Sequence, residues 1–578
     1  MNCPSRPDEI EGHPDWNQNP HVLSSDLTTR ADLNGLVNLR AQRGHDSNLD
    51  TQEEDRAWMS WNNASEGPSK NETAVHVALN QSRFGSTNAS PVNRPMQEPT
   101  PNQGSTSILL KIRQVLVHYS KFVGPGFLIA VAYIDPGNYA TDVEAGAVTR
   151  YRHLFIILMS NLFAIFLQSV CIKLGSVTGL NLAENCRRHL PRWLNYVLYV
   201  FAESAIIATD IAEVIGSAIA LNLLLNVPLV AGCAISLVDV LVLLMFYNPD
   251  GSMTRLRLFE CFVMTLVLGV VICFCIQLSY IRDTSVGQVF RGYVPSSAVV
   301  EGNGIYLSCG ILGATVMPHS IFLGSGVVQP RLRQFDIQNG YHNTIGRAAT
   351  STFIQTQDLE EKYRPSIQAI RSCLKYSIIE LAVSLFTFAL FVNSAILIVA
   401  GSSLYPKTEA TEADLFGIHD LLTETLSKVA GVLFALALLL SGTSAGIVCT
   451  MAGQMVSEGM LRWTVKPWLR RLITRGISIV PSIIIAGSIG KSGLNQALTA
   501  TQVVLSVILP FVTAPLLWFT CRSHIMTVRA NEDGGQGSHG ENVNMRNGWI
   551  VTILSVLIWL VLVVMNVALL VLVGLGKA

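Results

Sequence analysis

The chain of 578 residues is half hydrophobic and only 14% charged, with 40 basic residues balancing 40 acidic ones and a positive mean hydropathy. Such a composition belongs to integral membrane proteins, and a zero formal net charge argues against a nucleic-acid binder. The eleven cysteines form no CxxC pair. Most of them (Cys171, Cys233, Cys261, Cys273, Cys309, Cys449) stand in apolar runs, where a small buried hydrophobe is the ordinary role rather than a disulfide or metal ligand.

Residues 1–107 are rich in Asn, Asp, Ser, Gln and Pro and lack apolar periodicity. Such a segment buries too little to offset its chain entropy and is predicted to be a disordered tail. No apolar h-region near Met1 marks a signal peptide. N-x-[ST] sequons at Asn63, Asn71, Asn80 and Asn88 matter only if the tail is lumenal.

From Phe122 onward come apolar runs long enough to cross a bilayer, which takes about 20 residues. They centre on 122–148, 154–177, 196–225, 229–247, 259–280, 304–328, 374–400, 429–456, 472–489, 497–520 and 549–575, eleven in all. Even-numbered connections carry most of the Arg and Lys, among them Arg187, Arg188, Arg192, Arg255, Arg257, Arg331, Arg333, Arg470 and Arg471. Odd-numbered ones hold little beyond Arg150, Arg152, Arg282, Arg291, Lys407 and Lys491, and one is acidic. The positive-inside rule therefore places the N-terminus in the cytosol and leaves the sequons idle.

The first run contains "AYIDPGN" (132–138), an acid and a Pro-Gly pair in mid-span. Proline in a helix interior costs about 3 kcal/mol, and an ionisable group at that depth is costlier still. The sixth run contains "ATVMPHS" (314–320), which aligns in register: Ala314 with Ala132, Met317 with Asp135, Pro318 with Pro136. Five spans separate the two, so the second copy is inverted relative to the first. This is the layout of an inverted-repeat transporter, in which discontinuous helices meet at the midplane around the cargo. The predicted fold is thus an all-α membrane protein. Two inverted repeats of five spans (about 120–280 and 302–520) make a 120–520 core with broken first and sixth helices. A cytoplasmic loop at 521–547 leads to an extra C-terminal helix at 548–576.

The paired motifs offer a carboxylate (Asp135), an amide oxygen (Asn138), a thioether (Met317) and carbonyls freed near Ala132 and Ala314. Oxygen donors alone would suit Mg2+ or Ca2+. The soft sulfur adds a preference for transition metals, and the mixture points to a first-row dication such as Mn2+ or Fe2+. An imidazole two residues beyond, His319, titrates near 6.5 when unperturbed. In the third span, "FAESAIIATDIAEVIG" places Glu203, Asp210 and Glu213 at i, i+7 and i+10, on one helical face, as candidates for a proton relay. The string "AGSIGKSG" (486–493) is not a nucleotide loop, because Ile485 stands where its first Gly would be. "GPGF" near the first span precedes no strand and is not a dinucleotide site.

"GPGFLIAVAYIDPGNYATDVEAGA", "MPHSIFLGSGVVQPRL" and "MAGQMVSEGML" resemble the signatures of the natural-resistance-associated macrophage protein (NRAMP) family, proton-coupled divalent-metal transporters. The likeness covers residues 120–520. It implies Asp135, Asn138, Met317, Ala132 and Ala314 as metal ligands, Gln502 as a further one in some states, and Arg475 as partner of the third-span acids. One departure is that many members carry a second histidine where this chain has Gly324, a fungal-like feature.

The expected function is symport of Mn2+ and/or Fe2+ with protons into the cytosol, with no enzymatic activity. No resident cofactor is expected, since metal and proton are transported substrates. The partners are these ions, the lipid bilayer and regulatory proteins of the tail. The host membrane is the plasma membrane or a vacuolar or endosomal one. Two rivals are a metal sensor or receptor of the same fold and a sodium-coupled amino-acid carrier. The carrier is disfavoured because Asp135 would repel a substrate carboxylate and Met317 would have no task.

Overall fold

The computed structural model describes residues 124–244, 253–282, 284–301, 303–341, 363–405, 415–461, 467–488, 490–528 and 542–575. All of them lie in the unit Asn88–Ala578, and the predicted tail lies outside the described residues. The described chain is almost wholly helical. Eight of its helical segments are long and apolar enough to cross a membrane by length and composition. The other three predicted runs are helical too: a broken pair near residue 133, a 16-residue helix, and one whose apolar part is Arg475–Ser488.

In chain order, α1 (Pro125–Val131) and α2 (Pro136–Thr149) form the first broken span, followed by α3 (Leu154–Thr178), the short α4 (Leu182–His189), α5 (Arg192–Leu225), α6 (Leu229–Leu244) and α7 (Met253–Ser279). After the short α8 (Val286–Gly292), α9 (Gly304–Thr315) and α10 (Pro318–Gly326) form the second broken span, and α11 (Gln329–Gln338) follows. Next come α12 (Ile367–Ser384), a π-turn at Leu385–Ala389, α13 (Leu390–Ser403), α14 (Leu415–Thr425), α15 (Lys428–Leu461), α16 (Pro467–Ser488), α17 (Gly490–Cys521) and α18 (Trp549–Gly574). Within the predicted 521–547 loop two short strands, Thr527–Val528 and Val543–Asn544, pair antiparallel.

The breaks follow from proline chemistry. Pro136 and Pro318 each occupy the first position of the second half-helix, where a missing N–H costs nothing. The Asp135 side chain caps α2 by accepting from the Asn138 amide. Connections are closed in the same local way. Gly179 takes φ 67° after α3, and Asn181 and Glu184 form a capping box on α4.

Apolar burial does not drive helices together in lipid, so close approach comes from small residues and polar contacts. α5 packs along α15 and α17, and α2 along α13. Gly216 of α5 admits the Pro136 ring, Gly442 of α15 admits Ser217, and Gly446 admits the Arg475 guanidinium. α18 is peripheral, with 22% of its apolar window buried. Cys261 departs from the expected burial: it is exposed on α7, most of whose apolar window faces outward. All described cysteines are free thiols.

Candidate metal site and proton route

A helical carbonyl at i−4 bonds to the N–H at i. Pro136 therefore releases the Ala132 carbonyl and Pro318 the Ala314 carbonyl, one from each broken span. Asp135, Asn138, Ala314, Met317 and Gln502 are fully buried and Ala132 is 1% exposed. The Asn138 amide nitrogen is held by three oxygens: Asp135 Oδ1 at 2.6 Å, the Tyr133 carbonyl at 3.2 Å and the Ala314 carbonyl at 3.3 Å. This anchors the side chain through its nitrogen and leaves its oxygen free. Asp135 Oδ2, Asn138 Oδ1 and Gln502 Oε1 are buried with no hydrogen-bond partner among the described residues.

Gln502 reaches the breaks because two glycines make room. A Cβ on Gly137 would overlap the Gln502 side-chain amide, and one on Gly313 would overlap its backbone carbonyl. Unsatisfied buried oxygens cost free energy unless something electropositive occupies the space between them. A dication would meet that need, and Met317, N-cap of α10 and fully buried, is the candidate soft donor.

Further polar contacts, not expected from the sequence, tie the breaks to neighbouring helices. The Tyr133 hydroxyl meets Ser320 at 3.0 Å, and the Gln168 amide nitrogen donates to both, at 2.9 and 3.0 Å. Asn393 donates to the Tyr133 carbonyl at 3.1 Å and Ser441 to the Ile134 carbonyl at 2.9 Å. Each is a polar side chain inside an apolar run, which is the signal that could have found it. A Cβ on Gly324 would overlap Gln168 Oε1, so the position of the missing second histidine lies against Gln168.

His319, 1% exposed on α10, places Nδ1 3.3 Å from the Thr209 hydroxyl of α5. The next residue, Asp210, is ion-paired to Arg475 Nη1, which also lies 3.3 Å from Glu213. Ser478 donates to the other Asp210 oxygen at 2.9 Å. Glu213 Oε1 and the Nε and Nη2 groups of Arg475 have no hydrogen-bond partner among the described residues. The structure therefore joins Asp210, Glu213, Arg475 and Ser478 in one network, while His319 meets the preceding Thr209, whose hydroxyl donates to the Ala205 carbonyl at 3.0 Å. Glu203 stands apart from it, two turns earlier on α5, with Oε2 buried and without a hydrogen-bond partner among the described residues. The Cys449 thiol lies near the carboxylates of Asp210 and Glu213, with the guanidinium already occupying that space.

Fold and site together define a membrane carrier of the broken-helix, inverted-repeat class. The family described as natural resistance-associated macrophage protein-like matches residues 126–572. The chain is 52% identical over 493 residues to the manganese transporter SMF1 of Saccharomyces cerevisiae, covering 79% of this chain and 86% of that protein. It is 47% identical over 464 residues to the iron transporter SMF3 of the same yeast, covering 77% and 94%. A solved point mutant of the Eremococcus coleocola manganese transporter superposes with a TM-score of 0.61 at 29% identity, covering 82% of this chain and 88% of that one. The chain belongs to the NRAMP family and is a divalent-metal transporter, not an enzyme.

Proposed function

We propose that the protein carries Mn2+ or Fe2+ together with protons into the cytosol. The observation that supports this reading is the convergence of partnerless buried oxygens from Asp135, Asn138 and Gln502 on two helix breaks that also free the Ala132 and Ala314 carbonyls. With Met317, these form the ligand set of the cargo. The naming of similar proteins as manganese and iron transporters favours the same two ions. Sulfur in the set disfavours Ca2+ and Mg2+.

A dication and a proton compete for the Asp135 carboxylate, so metal entry expels the proton. His319 receives it, and Thr209, Asp210 and Glu213 lead it away along α5, with Arg475 compensating the two carboxylates. Glu203 continues the acidic face. The positive-inside charge bias favours a cytosolic N-terminus, and inward metal and proton gradients across the plasma membrane or an endosomal or vacuolar membrane would drive the uptake. Metal uptake by a metal-starved host separates this reading from a sensor of the same fold, which would give none. Uptake by the wild type that disappears in Asp135→Asn supports the assignment; equal uptake by both overturns it.

A further inference from the structure

Asp142 stands four residues beyond Asn138 and seven beyond Asp135 on α2, on the same helical face. At 1.5 Å per residue it lies about 6 Å from Asn138 and about 10 Å from Asp135 along the axis. It is fully buried, and neither carboxylate oxygen has a hydrogen-bond partner among the described residues. No described cation pairs with it. A carboxylate in that state is among the costliest groups a membrane interior can hold. A merely structural aspartate would be expected to have a donor.

The face that carries Asp142 leads away from the breaks. Beyond it come Gly146, against the Leu397 carbonyl of α13, and Thr149, where α2 emerges beside the exposed Val148. Asn393 of α13, whose nitrogen is fixed on the Tyr133 carbonyl, also has a buried Oδ1 with no hydrogen-bond partner among the described residues. We propose that Asp142 forms a second divalent-cation site on the approach to the central one. This rests on the proposed uptake into the cytosol: with a cytosolic N-terminus, the Thr149 end of α2 faces the side from which the metal comes. With one carboxylate and no sulfur, the site takes hard and borderline dications alike, so selection is left to Met317.

The test uses purified full-length protein and Mn2+ as probe, followed by the loss of the free-ion paramagnetic resonance signal. Asp135→Asn should keep a weak Mn2+ site, displaceable by Mg2+, that the double variant Asp135→Asn/Asp142→Asn lacks. In proteoliposomes Asp142→Asn should raise the KM for Mn2+ about tenfold, the low end for losing a carboxylate that supports a metal, and Asp142→Glu should restore most of it. Equal Mn2+ binding by Asp135→Asn and the double variant, or an unchanged KM in a folded Asp142→Asn protein, would overturn the proposal. The binding measurement does not depend on which way the ion travels, so its failure is distinct from a failure of the proposed direction.

Discussion

The imidazole of His319 meets the hydroxyl of Thr209 at 3.3 Å. His319 is two residues from Met317, and Thr209 is one residue before the Asp210 that Arg475 holds. Through this contact the metal-site half-helix α10 touches the acidic face of α5, so the candidate metal and proton machineries are neighbours rather than separate features.

Glu213→Gln should leave Mn2+ affinity within about twofold, because no proposed ligand of the metal changes. It should flatten the dependence of uptake on external pH. Asp135→Asn removes the charged ligand and should abolish transport together with the high-affinity binding at the central site. Binding by calorimetry and uptake at several pH values check both. Loss of binding in Glu213→Gln equal to that in Asp135→Asn would refute the relay.

Met317→Ala should weaken rejection of Ca2+ and Mg2+ while some Mn2+ transport remains, since the oxygen donors persist. Competition of Ca2+ against radiolabelled Mn2+ measures this. Unchanged exclusion of Ca2+ would show that sulfur is not the filter.

Gly137→Ala should displace Gln502, whose amide occupies the space a Cβ would need. Overpacking of this kind costs about 1–3 kcal/mol. We expect a lowered melting temperature with Mn2+ uptake reduced at least as strongly as in Gln502→Ala. A fully active Gly137→Ala protein would mean that Gln502 is not needed where it stands.

Arg475→Ala strands Asp210 and Glu213 as uncompensated buried acids, a loss of about 3–5 kcal/mol for a broken buried pair. Thermal unfolding in detergent should show it, and Asp210→Asn on the same background should recover part. No change in unfolding would contradict the ion pairing.

If the tail is cytosolic, protease from that side should remove it, and Asn63, Asn71, Asn80 and Asn88 should carry no glycan. A mobility shift on deglycosylation that vanishes when all four are replaced would reverse the orientation.

Much of this is legible in the sequence because local chemistry dictates it. Pro136 and Pro318 break their helices wherever they sit, and a 3.6-residue period alone puts Asp210 and Glu213 on one face. What pairs across the bundle is not legible that way. The Gln168 contacts to Tyr133 and Ser320, the Asn393 contact to an unwound carbonyl, and the seat of Gln502 between Gly137 and Gly313 depend on how distant helices approach. Asp142 does not stand out in the sequence, because an acid one turn beyond the DPGN motif reads as part of it. Its unusual character lies in the absence of partners, which only the packed structure reveals.

The most direct measurement is Mn2+ uptake into proteoliposomes under an imposed pH gradient, with the membrane potential clamped and lumenal pH followed by a trapped dye. An acidic exterior should accelerate uptake, and Mn2+ entry should acidify the lumen, with both effects lost in Asp135→Asn. Mn2+ uptake that ignores the gradient and leaves lumenal pH unchanged would contradict proton-coupled symport.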